Sequence, residues 1–313
     1  SMSNNLDDRL RGFGISQPPT LRENWDASGS LGGPILGDRV WFLGNVRDWG
    51  NAAVREGVLA NRFAGDPSHW DFAPDDSIEP READGRRIYS IRLTGQVTPR
   101  NRLTFYQEHQ KRCSGSSLGQ DADACRTAGD GWVAQGRTFG ANTGSPESWP
   151  GYHDFPYNVT QATWTSPVSS RTLLEAGFSR FHYGYARFGM APPDGLTDLI
   201  PVTETTGIYG RPNLTYRGIY DPLDFAFNDN SATPYTWRGA VSYVTGSHSL
   251  KLGYQGSYFI SHNGRVPNDT QLRYVFNNRS PNGVGYYLAP RWEQSDRTRT
   301  VAFFAQDQWT LGR

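Results

Sequence analysis

The sequence predicts an all-β protein, built as an antiparallel meander of hairpins with short turns on one side and long loops on the other. Three observations predict this fold class: apolar residues recur at every second position, tight reversals join such segments in pairs, and long polar stretches rich in Gly and Pro separate the pairs. The alternation is clearest in residues 250–261, where every second side chain falls on one face of a strand. That face carries Leu250, Leu252, Tyr254, Gly256, Tyr258 and Ile260.

The composition of the 313 residues leaves two classes of protein open. The formal net charge is zero, which argues against a nucleic-acid partner bound through bulk charge. Aromatic residues make up 13% of the chain, which argues against disorder although the mean hydropathy is −0.65. No window of about eighteen residues is apolar, which excludes a membrane-spanning helix, whereas a membrane strand needs an apolar residue only at every second position. The chain is therefore either a soluble β-rich domain or a membrane barrel with large polar loops.

The chain divides at about residue 30. We expect residues 1–29 to be a polar N-terminal segment, in which Ser1-Met2 is the remnant of a cleaved expression tag. After it, Gly32-Gly33-Pro34 predicts a turn, and residues 39–49, which are rich in aromatics and Val, predict the first strand.

Three hairpins follow, each with a short reversal. They are residues 89–106 with a reversal at 98–101, residues 157–185 with a reversal at 166–171, and residues 235–261 with a reversal at 245–248. Two further strands are predicted at residues 271–277 and 301–311, separated by a turn region rich in Pro, Asn and Gly.

The connections between these strands are asymmetric. The reversals inside the hairpins are short, and the segments between hairpins are long, at about 51–85, 107–156 and 186–234. A soluble β-sandwich keeps most connections short at both ends, whereas outer-membrane barrels have short turns on one side and long loops on the other. Strands of about ten residues also suffice to cross a bilayer when they are tilted. We therefore interpret residues 30–313 as an incomplete outer-membrane-type β-barrel domain.

Several of these segments resemble a known family. The runs SLGGPILGDRVWFLGNVRDWG, GSHSLKLGYQGSYF and VAFFAQDQW are similar to strand–turn–strand pieces of TonB-dependent outer-membrane transporters, and most of all to the Oar-like subgroup that begins with a carboxypeptidase-regulatory-like domain. The resemblance spans residues 25–313 and rests on the pattern of strands and turns rather than on a catalytic motif. It implies an internal barrel fragment in the bacterial outer membrane, because no plug domain or TonB-contacting box is recognisable before Ser30.

The same resemblance implies a role and a set of partners. The intact protein would take part in nutrient uptake, with the lipid bilayer as a partner and with the TonB system as a partner of the intact protein only. Its ligand would be a carbohydrate, a siderophore or another bulky molecule, and not a nucleic acid. Because transport in this family needs the plug, the fragment is not expected to transport alone.

No catalytic residue is predicted, because the sequence has no nucleophile elbow, no H-E-x-x-H and no P-loop. The candidate ligand-binding segment is a long loop rich in aromatics. Exposed aromatic rings beside polar groups can stack on sugars or aromatic ligands, and the alternative is that they anchor the loop to itself or form an interfacial belt. The predicted ligand-binding residues are Trp132, Arg137, Trp149, Tyr152, His153 and Asp154.

Two further predictions concern calcium and a disulfide. Asp221, Asp224 and Asp229 belong to an oxygen-rich run that suits calcium, the one cofactor considered, although their spacing fits no EF-hand and a polar surface loop is the alternative. Cys113 and Cys125 lie in a stretch without periodicity, with eleven residues between them. We expect them to form a loop-closing disulfide, which fits an oxidising compartment, and two unrelated thiols are the alternative.

The alternative to a barrel segment is a soluble β-rich hydrolase or carbohydrate-binding domain whose aromatic loop forms the site. Its weakness is that the sequence offers no recognisable nucleophile or acid pair, so an enzyme is the less expected class. The two hypotheses differ in where the apolar strand faces point. A barrel directs them outward to lipid, and a soluble domain packs them into an internal core.

Overall fold

The structure of the chain is a computed structural model, which describes residues 7–9, 20–54, 60–77, 80–118, 144–145, 148, 157–186, 198–210, 212–218, 227–288 and 292–310. Thirteen strands in these ranges form two sheets. The nine long strands are β1 (Thr20–Leu36), β2 (Val40–Val54), β3 (Pro80–Thr98), β4 (Asn101–Leu118), β5 (Tyr157–Pro167), β6 (Thr172–Ala186), β9 (Phe227–Thr245), β10 (His248–Val266) and β13 (Trp292–Trp309). The four short strands are β7 (Val202–Glu204), β8 (Leu214–Tyr216), β11 (Leu272–Asn277) and β12 (Ser280–Tyr286).

The nine long strands form one antiparallel sheet, which we call the wall. Their order is β1-β2-β3-β4-β5-β6-β9-β10-β13, so long strands that follow each other in the chain are neighbours in the sheet. The predicted fold class, an all-β antiparallel meander of hairpins, is confirmed.

The connections of the wall are short at one end and long at the other, as predicted. Four short turns lie at one end, at residues 37–39, 99–100, 168–171 and 246–247. Four long connections lie at the other end, at residues 55–79, 119–156, 187–226 and 267–291. The tightest turn needs Gly246, whose φ of 55° lies in the left-handed region that glycine adopts without a steric penalty.

The first turn lies at residues 37–39, and the prediction of a turn at Gly32-Gly33-Pro34 is wrong. Those three residues continue β1 and pair with β2, so that Pro34 lies opposite Trp41. A proline is tolerated there because β1 is an edge strand of the described wall, where a missing N–H donor need not break a ladder hydrogen bond. The chain reverses instead through Asp38, which has a φ of 55°, a conformation that Asp tolerates better than most residues.

The strands run further toward the long connections than the sequence predicted. β1 begins at Thr20, inside the segment expected to be a polar N-terminal tail, and β4 reaches Leu118, inside the loop expected at 107–156. β2 and β3 likewise enter the predicted loop 51–85, and β9 enters the predicted loop 186–234. In β4 the sequence after Tyr106 is polar at almost every position, so the hydrophobic alternation ends while the backbone ladder continues.

The four short strands form a second sheet in the order β12-β11-β7-β8. β7 and β8 lie in the connection between β6 and β9, and β11 and β12 lie in the connection between β10 and β13. β7 pairs with β11 in parallel, so this sheet joins two long connections. β11 confirms the strand predicted at residues 271–277, whereas β12 occupies the region predicted as a turn.

The hydrophobic core of the described residues lies in this small sheet and in the connection between β2 and β3. The buried cluster consists of Phe72, Val202, Tyr209, Leu214, Tyr216 and Phe276. We call the small sheet together with residues 60–77 the cap. Among the described residues of the wall, Ala232 alone has a buried apolar side chain, so the described wall has no packed core on either face.

Candidate functional site

One face of the wall is apolar on every strand that can be followed through the register, and we call it the apolar face. Leu252 of β10 lies between Val241 of β9 and Ala305 of β13. Other members of this face are Phe42, Leu93, Phe105, Ala162, Phe178 and Phe303. Leu250 is 40% exposed, Leu252 is 57% exposed and Phe303 is 80% exposed, so no second layer of the described chain seals this face.

Toward the long connections the apolar face ends in tyrosines followed by basic residues. Tyr235 and Tyr258 lie opposite each other on β9 and β10. Arg180 lies beside Tyr235 with its guanidinium 5.9 Å from the ring centroid, and Arg299 lies beside Tyr258. Rings with a polar tip next to long cationic side chains are typical of the boundary between an apolar layer and water.

Toward the short turns the apolar face ends in tryptophans whose indole nitrogens are hydrogen-bonded. Nε1 of Trp164 donates to Oδ1 of Asn101 at 2.9 Å, and Nε1 of Trp309 donates to Oγ of Ser247 at 3.1 Å. Each indole thus has an apolar body on the face and a polar contact at the turn, the arrangement found where an apolar layer meets water.

The height of the apolar face between these two boundaries suits a bilayer. On β10 the apolar face extends from Leu250 to Ile260. At about 3.3 Å per residue and a tilt of roughly 40–45°, eleven residues reach a height of about 25 Å, the height of the apolar band of outer-membrane barrels. No helix in the described part of the chain combines the length and the apolar character that crossing a membrane requires.

The opposite face is polar and forms a groove of about 590 Å³ across five neighbouring strands. Its polar lining consists of Gln161, Thr163, Ser179, Thr236, Arg238, Gln255, Ser257 and Thr300. Nearer the short turns, Nζ of Lys251 lies 2.5 Å from Oε2 of Glu175, an ion pair between β10 and β6 that spans β9. A polar face on one side of a sheet and an apolar face on the other is the pattern of a barrel wall with a water-filled interior.

A buried arginine, Arg217, joins two separate segments of the cap. The guanidinium of Arg217 donates to the backbone carbonyl oxygens of His69 at 3.0 Å, Ile200 at 3.0 Å and Pro67 at 2.9 Å. It also stacks on the Trp70 ring, with 3.6 Å between the guanidinium carbon and the ring centroid. Burial lowers the pKa of Arg217 below its ordinary value. The side chain therefore joins the connection between β2 and β3 to the connection between β6 and β9.

A buried carboxylate fixes the turn between β11 and β12. Glu204 is fully buried and accepts hydrogen bonds from the N–H and Oγ1 of Thr206, at 2.9 and 2.6 Å, and from the N–H groups of Asn278 and Arg279, at 3.0 and 2.8 Å. Burial acts to raise the pKa of Glu204, but these hydrogen bonds outweigh it and leave the pKa below its ordinary value. The role of Glu204 is thus to hold two turn residues with φ of 53° and 64°.

A serine, a histidine and an aspartate meet in the cap, but their geometry is not that of a catalytic triad. Oγ of Ser68 and Oδ2 of Asp66 both approach Nδ1 of His69, at 3.1 and 2.8 Å. In a triad the nucleophile and the carboxylate bind opposite ring nitrogens. Oγ of Ser68 also donates to Oδ1 of Asp66 at 2.6 Å, and the hydrogen bonds from Ser68, with that of His69, lower the pKa of Asp66 to about 2. The arrangement is an Asx turn, and it favours no hydrolase.

The residues predicted to bind a ligand lie outside the described residues. They are Trp132, Arg137, Trp149, Tyr152, His153 and Asp154. For the calcium prediction, Asp221 and Asp224 also lie outside, and Asp229 is placed on β9 opposite Gly264. In the described part of the chain, no group of three His, Cys, Asp or Glu side chains could hold a metal ion.

The disulfide prediction also falls largely outside the described residues. Cys113 lies in β4 opposite Gly85 rather than in a loop, and its side chain is not described. Cys125 lies outside the described residues, so the pairing of Cys113 with Cys125 stays a prediction.

Sequence reasoning missed the cap. Its core residues fall in segments that look like polar loops, and the short strands β7 and β8 have three residues each. The usable signal was the density of large aromatics in these segments: Trp70, Phe72, Tyr209 and Tyr216 all lie in stretches predicted to be loops.

No model of a known protein family matches the chain, and no curated protein matches it. A solved structure to which the chain is similar is the outer membrane transporter YddB from Escherichia coli, with a TM-score of 0.48 and 11% sequence identity. The similarity covers 91% of this chain and 32% of that one, so the chain spans about a third of the length of the structure that it matches.

Proposed function

We propose that this chain forms part of the wall of a β-barrel in the bacterial outer membrane, and that the intact barrel takes part in nutrient uptake in the manner of TonB-dependent transporters. The observation that carries the proposal is the apolar face. It continues across the wall, it is exposed, and it is bounded by Tyr235 and Tyr258 at one end and by Trp164 and Trp309 at the other.

An exposed apolar face of this extent needs an apolar environment. Monomeric soluble proteins rarely expose contiguous apolar patches larger than a few hundred Å². The soluble alternative, a hydrolase or a carbohydrate-binding domain, requires these side chains to pack into a core, and Leu252 and Phe303 are more than half exposed. We therefore favour lipid as the partner of the apolar face.

A role in uptake is supported by the arrangement of the two faces and the cap. The polar face offers a groove lined by amide, hydroxyl and guanidinium groups, as a water-filled lumen requires. The cap gathers the long connections into a folded body at one end of the wall, where a ligand would arrive. Contact of the loop around Trp132 and Trp149 with a carbohydrate, a siderophore or another bulky ligand belongs to this proposal, as does engagement of the TonB system by the intact protein.

The proposal is tested by the dependence of the chain on detergent or lipid. The purified chain should aggregate in buffer, but in dodecyl maltoside or phosphatidylcholine vesicles it should give a strand-type far-UV circular dichroism spectrum and a gel mobility that changes on boiling. A stable, monodisperse monomer in detergent-free buffer, with the same mobility before and after boiling, would contradict a membrane wall and favour the soluble alternative.

A further inference from the structure

A second groove, of about 500 Å³, lies in the apolar face beside its tyrosine boundary. Its lining residues are Phe178, Tyr235, Trp237, Tyr258, Ile260 and Arg299. All six point to the apolar face by their register. Phe178 and Trp237 also line the polar groove, but the other four lining residues belong to the apolar face alone. The groove therefore opens toward the layer that surrounds the proposed barrel.

The shape of this groove is fixed by a contact between a tryptophan and a glycine. Trp237 lies opposite Gly256, and a Cβ atom on Gly256 would fall 2.5 Å from Nε1 of the indole. The ring therefore lies directly over the glycine backbone. Nε1 of Trp237 also donates to the Tyr254 hydroxyl at 3.1 Å, which holds the indole in this position. The groove is thus formed before any ligand arrives.

The edge of the groove toward the long connections is basic. One row across four strands reads Arg180, Tyr235, Tyr258 and Arg299, so that two arginines flank two tyrosines. In the next row toward the long connections, Arg297 lies beside Ile260. Neither row contains an acidic side chain: the remaining members on β5, β6 and β9 are Asn158, Thr160, His182 and Thr233.

An aromatic groove that ends in arginines matches an amphiphile with an apolar chain and an anionic head. Arginine binds phosphate in two-pronged geometry, and aromatic and aliphatic walls accept a hydrocarbon chain. An unattached phosphate would leave the groove empty, and a neutral lipid would leave the arginines without an anion. We propose that this groove binds one anionic phospholipid, with an acyl chain between Phe178 and Tyr258 and the phosphate at Arg180 and Arg299.

This inference rests on the proposed function, because only a wall inserted in a membrane presents the apolar face to lipid. It adds to general contact with lipid a specific binding site on the apolar face. Long basic side chains at a membrane boundary attract any anionic surface, each by about the same amount. If the groove is a defined site, removing its arginines must weaken the binding of anionic lipid more than removing the same charge elsewhere on the apolar face. Lys111 provides such a charge, since it lies on the apolar side of β4, away from the groove. Arg87 on β3 is less suitable, because its guanidinium already pairs with Asp48 at 2.9 Å.

The test is lipid binding by the full chain in dodecyl maltoside micelles, followed by native mass spectrometry. The chain is titrated with dioleoylphosphatidylglycerol and, separately, with dioleoylphosphatidylcholine. The expected result is one bound phosphatidylglycerol with a clear preference over phosphatidylcholine. Arg180→Gln with Arg299→Gln should weaken phosphatidylglycerol binding about 100-fold, or about tenfold for each arginine, because each substitution removes a hydrogen bond between charged groups.

Three controls accompany this measurement. Arg180→Lys with Arg299→Lys keeps the charge but loses the two-pronged geometry, so its affinity should fall between those of the unaltered chain and the double Gln variant. Lys111→Gln should change the affinity less than about twofold, because this charge lies away from the groove. If the double Gln variant does not fold, as judged by its heat-dependent mobility, Arg299→Gln alone is used, since Arg299 is an exposed residue of β13. Inorganic phosphate should not displace the lipid.

The outcomes separate the two proposals. If the unaltered chain inserts in micelles but the double Gln variant binds phosphatidylglycerol within twofold of it, the lipid site is overturned and the barrel wall stands. The same follows if Lys111→Gln loses as much affinity as the removal of one groove arginine. If the unaltered chain does not enter micelles at all, the barrel wall and the lipid site are both overturned.

Discussion

At the scale of single residues, the most constrained side chains lie in the cap. Arg217 is buried, has a φ of 78° and satisfies three backbone carbonyl groups of two separate connections. Glu204 satisfies three backbone N–H groups and one hydroxyl of the same body. Because buried polar groups cost free energy when left unpaired, each of these side chains should be required for the cap to fold.

Replacing Arg217 by Ala should release residues 60–77 from the rest of the cap. Three backbone carbonyl oxygens lose their donor, and at about 1 kcal/mol each the cap should lose roughly 3 kcal/mol of stability. Hydrogen exchange in residues 60–77 and 198–218 measures the effect. Arg62→Ala, which removes an exposed arginine of the same segment, should leave the exchange unchanged. Equal exchange in both variants would show that the three hydrogen bonds of Arg217 contribute nothing.

Glu204 should make the cap sensitive to acid. Its pKa is lower in the folded chain than in the unfolded chain, so its stabilising contribution is complete above the unfolded pKa of about 4.3 and disappears as the pH falls through the lower folded value. Glu204→Gln should weaken the cap at pH 7 and flatten its stability below about pH 4. Proteolysis of the cap between pH 7 and pH 3 measures this difference, and a variant as acid-sensitive as the unaltered chain would contradict it.

At the scale of elements, the hairpins follow from the alternation of their residues and from their turns. Leu250 to Ile260 have alternating apolar and polar positions, and the partner strands β9 and β13 place apolar residues on the same side. A shift of register by one residue would move every apolar side chain to the polar face, so the register is strongly specified.

A lysine should therefore be costly on one face of β10 and tolerated on the other. Leu252→Lys places a charge on the apolar face between its short-turn boundary and the bilayer midplane. It should weaken insertion into phosphatidylcholine vesicles by about 2 kcal/mol, between the costs of a lysine at the interface and at the midplane. Gln255→Lys places the same charge on the polar groove and should change insertion by less than about 1 kcal/mol. Urea titrations of the vesicle-bound chain measure both values, and equal effects on the two faces would contradict a lipid-directed apolar face.

The sequence predicted the wall well and the cap poorly, for a physical reason in each case. Where one face of a strand contacts lipid or core and the other contacts water, as at Leu250 and Leu252, apolar and polar residues alternate along the sequence. Beyond that boundary the strands continue through backbone pairing alone, as in β4 as far as Leu118, and no side-chain pattern marks the continuation. The cap joins residues as distant as Pro67 and Arg217, and such long-range pairing leaves no local signal.

At the scale of the whole molecule, the described wall is an open sheet. β1 and β13 each pair with one neighbour among the described residues. Because the nine strands alternate in direction, β1 and β13 run the same way, so they cannot pair antiparallel with each other. A closed antiparallel barrel therefore needs an odd number of further strands beside these nine, because such barrels have an even number of strands.

The open edges should be visible in the exchange of backbone amides. In micelles, β1 and β13 should show protection on about half of their amides, since one side of each strand lacks a partner in the described sheet, whereas β3 and β9 should be protected along most of their length. Hydrogen exchange with peptide-level resolution measures this contrast. Uniform protection of β1 and β13 would mean that their free edges are paired.

A nitroxide scan of β10 tests whether the apolar face is directed outward to lipid. With Cys113→Ser and Cys125→Ser, single cysteines at positions 250–260 are labelled in turn, and their collisions with oxygen and with a water-soluble nickel chelate are measured in vesicles. If the face is directed to lipid, nitroxides at positions 250, 252, 254 and 260 should collide often with oxygen and rarely with the nickel chelate. Nitroxides at positions 251, 255 and 257 should show the reverse. Low accessibility to both reagents at the even positions would place these side chains beneath other parts of the protein and contradict a lipid-directed apolar face.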